Sequence, residues 1–384
     1  MLRSGLTRRL VTAAIAATLV LSCGAAAPVT SPPAGGRTPV SPTGPVPISP
    51  VPASTSSPAP VPLASASPAG AATAGRSAAA SPLASADPSV PLPPPDTVVD
   101  AGTCSTVGVC STVAVRIWSS VPYTPPVRCT AAGATCRLRM DVFAPVRAGG
   151  WPLVVMLPGG PQPPNSYGYA RQVGLSLAGQ GAVVMVAGWR QAPEYGGGYP
   201  GSFRDIACAI GVARMTGPSY GASRDHVVLA GHSLGGWAAA VIALTDTPYT
   251  PAAGSCNATS GSLRPDALVT PNGSVTEVVA WKTNVERVTA FLGGDRAARP
   301  DAWAASDPYA LARSHPASAG HVAITIVQGE ADTTVEPDVA REFHAVLEAA
   351  GLESRLVLVP KAGHVDLLAA GGAIEAIIQA AREP

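Results

Sequence analysis

From about residue 150 onward, apolar residues of this chain fall into short unbroken runs, spaced by stretches with helical periodicity. Pro152 to Leu157 is the clearest run, and Ala182 to Ala187, Val227 to Ala230, Ala267 to Thr270, Val322 to Val327 and Arg355 to Val359 repeat its character. Runs this short, apolar on both alternating faces, predict strands buried on both sides of a sheet. Two earlier segments, Thr112 to Trp118 and Arg137 to Phe143, alternate instead and predict antiparallel edge strands. Between the runs, helical patterns cover about Tyr167 to Gly179, Phe203 to Met215, Leu234 to Leu244 and Pro337 to Ala350, with a last helix from about Asp366 to Arg382. Strands alternating with helices imply a mostly parallel central sheet flanked by helices. One interval, about residues 273–320, is too long for a simple crossover and holds Trp281, Phe291, Trp303 and Tyr309. It predicts a helical lid or cap insertion over the carboxyl ends of the strands, the edge at which ligands bind in open α/β sheets; a surface excursion packed away from the site is the alternative.

The first part of the chain has none of this patterning. Arg3, Arg8 and Arg9 precede an apolar run from Leu10 to Leu21. That run is shorter than the about 20 residues a membrane span needs, and it reads as a signal peptide over residues 1–22. Leu21-Ser22-Cys23 resembles the lipobox of bacterial lipoproteins, which implies cleavage before Cys23 and its acylation. Plain secretion with cleavage near Ala25 to Ala27, or an uncleaved anchor, is the alternative. Residues 23–95 are almost wholly Ala, Pro, Ser, Gly, Thr and Val, and predict a disordered tether that cannot bury enough surface to fold. Residues 96–384 then form one α/β domain.

A net charge of +1, with no basic stripe interleaved with aromatics, argues against nucleic acid as a partner. No Cys/His cluster has zinc spacing, so no metal is expected. Six cysteines remain besides Cys23, and an even number in an exported chain suggests disulfides. Local closure favours Cys104–Cys110 and Cys129–Cys136, which leaves Cys208–Cys256. A free, buried Cys208 is the alternative.

The candidate chemistry centres on Gly231-His232-Ser233-Leu234-Gly235. It joins a predicted strand to a predicted helix, so Ser233 stands in a strained turn with its hydroxyl exposed at a helix N-terminus. A serine hydroxyl needs a base, and the base needs an orienting acid. Of six histidines, His364 lies in the loop after the last strand, at the same sheet edge as Ser233. His226, His232, His315, His321 and His344 are placed elsewhere by the pattern. Asp332 follows the preceding strand, in the chain order Ser, Asp, His. Glu330 and Glu277 are its competitors. Acyl transfer also needs an oxyanion hole. The N–H of Leu234 supplies one donor and Gly160, in Pro158-Gly159-Gly160-Pro161, the other, with Gly159 next in line.

These motifs are similar to those of the α/β-hydrolase superfamily. Gly231 to Gly236, Gly329-Glu330-Ala331-Asp332 and Gly363-His364 resemble its triad motifs. Trp189-Arg190-Gln191-Ala192-Pro193-Glu194 resembles the Tyr-Arg-Leu-Ala-Pro-Glu segment of hormone-sensitive-lipase-like carboxylesterases, as does the later Phe203-Arg204-Asp205. The likeness runs from about Arg137 to Arg382. Two departures stand out. Pro158 occupies the place of the histidine that begins the esterase oxyanion motif, so Pro161, Pro163 and Pro164 are expected to hold that loop instead. The elbow reads Gly-His-Ser-Leu-Gly, closer to feruloyl-esterase-like and dienelactone-hydrolase-like relatives, and a serine nucleophile argues against the latter chemistry. The resemblance implies an α/β-hydrolase fold and a serine carboxylesterase that needs no cofactor and acts on a small-molecule or lipid ester. Its membrane contact would be through the lipid anchor alone. Peptidase, thioesterase or acyltransferase activity with the same triad, or a non-catalytic binding module, are the alternatives.

Overall fold

Val154, Val184 and Val228 lie side by side without solvent exposure, because the apolar runs that carry them pair in register. The structure is a computed structural model, and it describes residues 92–147, 149–258, 261–273, 285–315, 322–369 and 372–383. The expected signal peptide, Cys23 and the tether as far as residue 91 lie outside the described residues, as do Glu277, Trp281 and His321.

Among the described residues nine strands form one sheet. They are β1 (Thr97–Val99), β2 (Val115–Arg128), β3 (Thr135–Pro145), β4 (Trp151–Leu157), β5 (Val183–Ala187), β6 (Ala222–Gly231), β7 (Ala267–Pro271), β8 (Ala323–Gly329) and β9 (Ser354–Val359). Their spatial order is β1-β2-β3-β5-β4-β6-β7-β8-β9. Pairing is antiparallel from β1 through β3 to β5, and parallel from β5 through β9. The helices are α1 (Ala170–Gly179), α2 (Gly201–Thr216), α3 (Leu234–Leu244), α4 (Val285–Leu292), α5 (Pro300–Ala304), α6 (Pro308–Ser314), α7 (Pro337–Ala349), α8 (Asp366–Ala369) and α9 (Gly372–Arg382).

Alternate residues of a strand point to opposite faces, so each buried strand feeds two cores. Leu153, Val155 and Leu229 pack with Phe203 of α2, Ala239 of α3 and Phe343 of α7. Val154, Met156 and Val228 pack with Leu177 of α1 and Ile377 of α9 on the other side. This is the mixed, mostly parallel sheet between helical layers of an α/β-hydrolase fold.

The differences from the sequence pattern have local causes. The expected strand at Thr112 begins at Val115, because the Thr112 and Val113 N–H groups are bound by the Gly179 carbonyl at the end of α1. It also runs on past Trp118 through Pro122, Pro125 and Pro126. Proline cannot donate to a ladder, and β2 takes up the interruption as register shifts after Trp118 and after Pro122. Nor are β2 and β3 the edge: β1 covers β2, a three-residue strand too short to leave a pattern. The last helix is described as α8 and α9, on either side of residues 370 and 371, which lie outside the described residues.

Residues 285–315, the described part of the long interval before β8, hold three helices. Its α4 lies at the carboxyl edge, where Arg287 meets Glu194 at 3.0 Å and the Phe291 carbonyl accepts the Tyr199 N–H at 2.8 Å. Its α6 packs against α3 and α7 on one face of the sheet. Phe291, Trp303 and Tyr309 are all buried. The three disulfides are Cys104–Cys110, Cys129–Cys136 and Cys208–Cys256, the pairing that local closure favours. The Trp189 to Glu194 segment is pinned by its arginine. Arg190 Nε and Nη2 each donate to the carboxylate of buried Asp205 on α2 at 2.7 Å, and Nη1 donates to the Arg128 carbonyl at 3.1 Å. A fork held on both sides by a buried carboxylate fixes the turn after β5 to the helix that follows it.

Candidate active site

Ser233 joins β6 to α3 with φ 54° and ψ −121°, a region that side-chain-bearing residues rarely occupy. The turn closes only because its flanks are glycine. A Cβ on Gly231 would lie 2.2 Å from the Gly235 carbonyl oxygen, and one on Gly235 would lie 2.6 Å from that of Leu157. The Ser233 side chain makes no capping bond to α3. The N–H of Leu234, the first residue of α3, has no hydrogen-bond partner among the described residues.

The loop after β4 arches over this turn. A Cβ on Gly159 would sit 3.0 Å from the Ser233 Cβ and 2.8 Å from the His232 carbonyl oxygen. The Gly159 N–H donates to Tyr169 Oη at 3.1 Å, and Pro161 has no N–H. The Gly160 N–H has no partner among the described residues. Side-chain amides and Trp189 grip the loop by hydrogen bonds. Gln162 Nε2 donates to the Gly159 carbonyl at 2.6 Å, and Gln191 Oε1 accepts the Gln162 N–H at 2.9 Å. Trp189 Nε1 donates to the Pro158 carbonyl at 3.3 Å.

Asp332 and His364 come together. His364 Nδ1 lies 2.7 Å from Asp332 Oδ2, and the aspartate side chain is fully buried. The other carboxylate oxygen, Oδ1, accepts the N–H groups of Thr334 at 2.8 Å and Val335 at 2.9 Å. Bonds from backbone donors keep the carboxylate in one orientation. Glu330 is turned away, half-exposed, toward Arg341 of α7.

The other described histidines are engaged elsewhere. His226 Nε2 meets the Ala380 carbonyl, His315 Nδ1 the Leu244 carbonyl and His344 Nδ1 the Ser354 hydroxyl. His232 does leave the turn in another direction from Ser233, but it is not idle. It is 1% exposed, its ring lies tilted against that of His364 with centroids 4.7 Å apart, and Nε2 donates to the His364 carbonyl at 2.8 Å. Its Nδ1 meets Tyr169 Oη. The pattern also gave no sign of Asn272, fully buried after β7. Its Nδ2 donates to the carbonyls of Gly363 (3.1 Å) and His364 (2.9 Å), and its Oδ1 accepts the Gly329 N–H at 2.7 Å. It therefore ties the loop of Asp332 to the loop of His364.

Burial pushes the His232 imidazole down from 6.5 to about 4, with the neighbouring His364 adding to the effect and the His364 carbonyl and Asp332 opposing it. The unfolded chain binds that proton more readily, so stability falls as pH drops from 6.5 toward about 4, by about 3 kcal/mol if the shift is fully expressed. Urea midpoints across that window check it. His232→Gln is expected to flatten the slope, and an unchanged slope would assign the acid sensitivity to other groups.

The BD-FAE family model matches residues 140–347, over half of the chain, and spans Gly160, Ser233 and Asp332. No curated protein sequence matches. Among solved structures, a truncated carbohydrate esterase from gut microbiota is similar at 17% identity and TM-score 0.54, over 68% of this chain and 98% of its own. A bifunctional GH43-CE protein of Bacteroides eggerthii aligns at 21% identity and TM-score 0.52, over 63% of this chain and 32% of its own. Esterase 2 of Thermogutta terrifontis, phosphonylated by sarin, aligns at 22% identity and TM-score 0.50, over 63% of this chain and 88% of its own. Likenesses at this identity are likenesses of fold.

Proposed function

The chain belongs to the BD-FAE family of α/β-hydrolase-like esterases, and we propose that it cleaves carboxylic esters with a Ser233–His364–Asp332 triad by way of an acyl-enzyme. The observation that carries this reading is the 2.7 Å contact between His364 and a buried, doubly bound Asp332, on loops from the sheet edge at which Ser233 stands. With Nδ1–H donated to Asp332, the other ring nitrogen is the bare one, free to take a proton.

Ser233 Oγ attacks the ester carbonyl carbon and its proton passes to His364 Nε2. The carbonyl oxygen becomes an oxyanion and accepts the N–H groups of Leu234 and Gly160. Collapse breaks the bond to the alkoxy oxygen, which leaves as the alcohol with the proton from His364. Water then repeats the cycle on the acyl-enzyme. Asp332 stays ionised throughout and holds the imidazolium. No cofactor enters these steps.

The test is hydrolysis of p-nitrophenyl esters from acetate to palmitate, beside covalent labelling with a fluorophosphonate, for the parent chain and Ser233→Ala. Turnover and labelling that both depend on Ser233 support the triad. Labelling that persists in Ser233→Ala overturns it.

The same reading includes export. Residues 1–22 act as a signal peptide, Cys23 carries the lipid anchor, residues 23–95 serve as a tether and residues 96–384 as the catalytic domain. Three disulfides support an oxidising compartment. Cys23→Ala is expected to move the exported protein from the detergent phase to the aqueous phase in a phase-partition assay. Equal partitioning of the two proteins would remove the lipid anchor from the reading.

A further inference from the structure

We infer that Tyr169 and His232 are positioning residues that lock the oxyanion loop to the loop of the catalytic base. The inference rests on the triad and oxyanion assignments proposed above. It follows a chain of three hydrogen bonds. The Gly159 N–H donates to Tyr169 Oη at 3.1 Å, Tyr169 Oη meets His232 Nδ1, and His232 Nε2 meets the His364 carbonyl oxygen at 2.8 Å.

The two ends of this chain dictate every proton in it. A carbonyl oxygen only accepts, so His232 Nε2 carries the ring proton. A neutral imidazole has one proton, so Nδ1 is bare and must accept. Tyr169 has a single hydroxyl hydrogen, which goes to Nδ1. Its lone pair then receives the Gly159 N–H. No atom of the relay has a second choice, and none of its protons is available to the ester. His232 is buried with both ring nitrogens engaged, and the Tyr169 ring packs edge-on against it with centroids 4.8 Å apart. The pair acts through other groups and does not touch the reacting atoms.

Each end of the relay sits one covalent step from chemistry. The Gly159 amide immediately precedes the amide of Gly160, so fixing one restricts the direction of the other. The His364 carbonyl belongs to the same residue as the imidazole, so fixing it sets the pivot from which the ring swings. The same carbonyl also accepts from Asn272, which is bonded to Gly329 before the Asp332 loop. The loops after β4, β8 and β9 are thereby joined at one oxygen atom. Displacements of about 1 Å at such a site cost as much as about 100-fold in rate.

The experiment compares the full chain with Tyr169→Phe, His232→Gln and the double variant, in ester hydrolysis and in the rate of fluorophosphonate labelling. Tyr169→Phe removes one oxygen and keeps the ring, so it is the variant least able to disturb folding. Its kcat is expected to fall about 10- to 100-fold with KM within about twofold, because the relay orients groups that act on the transition state. The labelling rate falls by a similar factor. A shared relay predicts that the double variant falls no further than the worse single one. A kcat for Tyr169→Phe within about twofold of the parent, or losses that multiply in the double variant, overturns the relay. A role in packing alone would lower the thermal midpoint and leave kcat of the folded protein unchanged, which also overturns it. If the parent is not labelled, or is labelled without need of Ser233, the triad reading fails first and the relay falls with it. If labelling needs Ser233 and Tyr169→Phe is unaffected, the relay alone is lost.

Discussion

Ser233→Ala is expected to lower ester turnover by about 10⁵-fold or more and to abolish fluorophosphonate labelling, while the protein keeps its fold. The size of the loss follows from the absence of a substitute. His232, the nearest imidazole in sequence, is buried with one nitrogen on the His364 carbonyl and the other on Tyr169. It can offer no nucleophile. The His364–Asp332 pair would survive intact, with nothing but water to deprotonate. The residual rate would come from the oxyanion donors and from substrate binding. Folding should be spared for an equally local reason. The Ser233 side chain makes no capping bond to α3, so its hydroxyl contributes nothing to the helix start. The strain lies in the backbone at φ 54°, which alanine inherits unchanged. Kinetics and the thermal midpoint, measured together, separate the two effects. Turnover near that of the parent in a folded Ser233→Ala would end the nucleophile assignment.

What could be seen from the chain and what could not divides along a physical line. The buried strands were visible because a strand covered on both faces must be apolar at every position, and β4, β5 and β7 are buried throughout almost their whole length. The turn at Ser233 was visible because Gly231 is demanded by a backbone contact with Gly235 only four residues on, although Gly235 itself answers to the Leu157 carbonyl on the neighbouring strand. The pairing of Cys208 with Cys256 came from counting what local closure left over. Contacts made across the sheet left no such trace. Tyr169 and His232 are 63 residues apart, and Asn272 and His364 are 92 apart. Chain order says which sheet edge a loop occupies, but not which side chain crosses to the next loop. Tyr169 read as part of a helix, Asn272 as an ordinary residue after a strand, and His232 as a bystander. The gripping amides of Gln162 and Gln191 were hidden for the same reason. The prolines around Gln162 drew attention to themselves, whereas the amide contacts that grip the loop did not. Local backbone demands are written in local sequence, whereas a network that joins three loops exists only after folding.

Asp332→Asn offers the sharpest test of how the base is controlled. The substitution removes a charge and almost no volume. Its outcome is set by the two backbone donors on Oδ1, the N–H groups of Thr334 at 2.8 Å and Val335 at 2.9 Å. Both require an acceptor, so the carboxamide oxygen must take that side. The NH₂ group is then turned toward His364 Nδ1, in place of the oxygen that lies 2.7 Å away in the parent. An N–H facing Nδ1 forces that nitrogen to accept, which moves the ring proton to Nε2. In that tautomer the nitrogen needed to receive the Ser233 proton already carries one. A swap of this kind, with geometry kept and tautomer reversed, lowers turnover by about 10⁴-fold in the serine-protease triad, and a loss of that order is expected here. KM should change little, since Asp332 is buried and does not touch the ester. The fold should persist, because the pair of backbone bonds that organises the loop is kept. Asp332→Ala separates the two roles further. It loses the bonds to Thr334 and Val335 as well, so its thermal midpoint should drop along with its activity. A small activity loss for Asp332→Asn would mean that Nδ1 keeps its proton without the carboxylate. The carbonyl anchors from Asn272 and His232 would then be what orients His364.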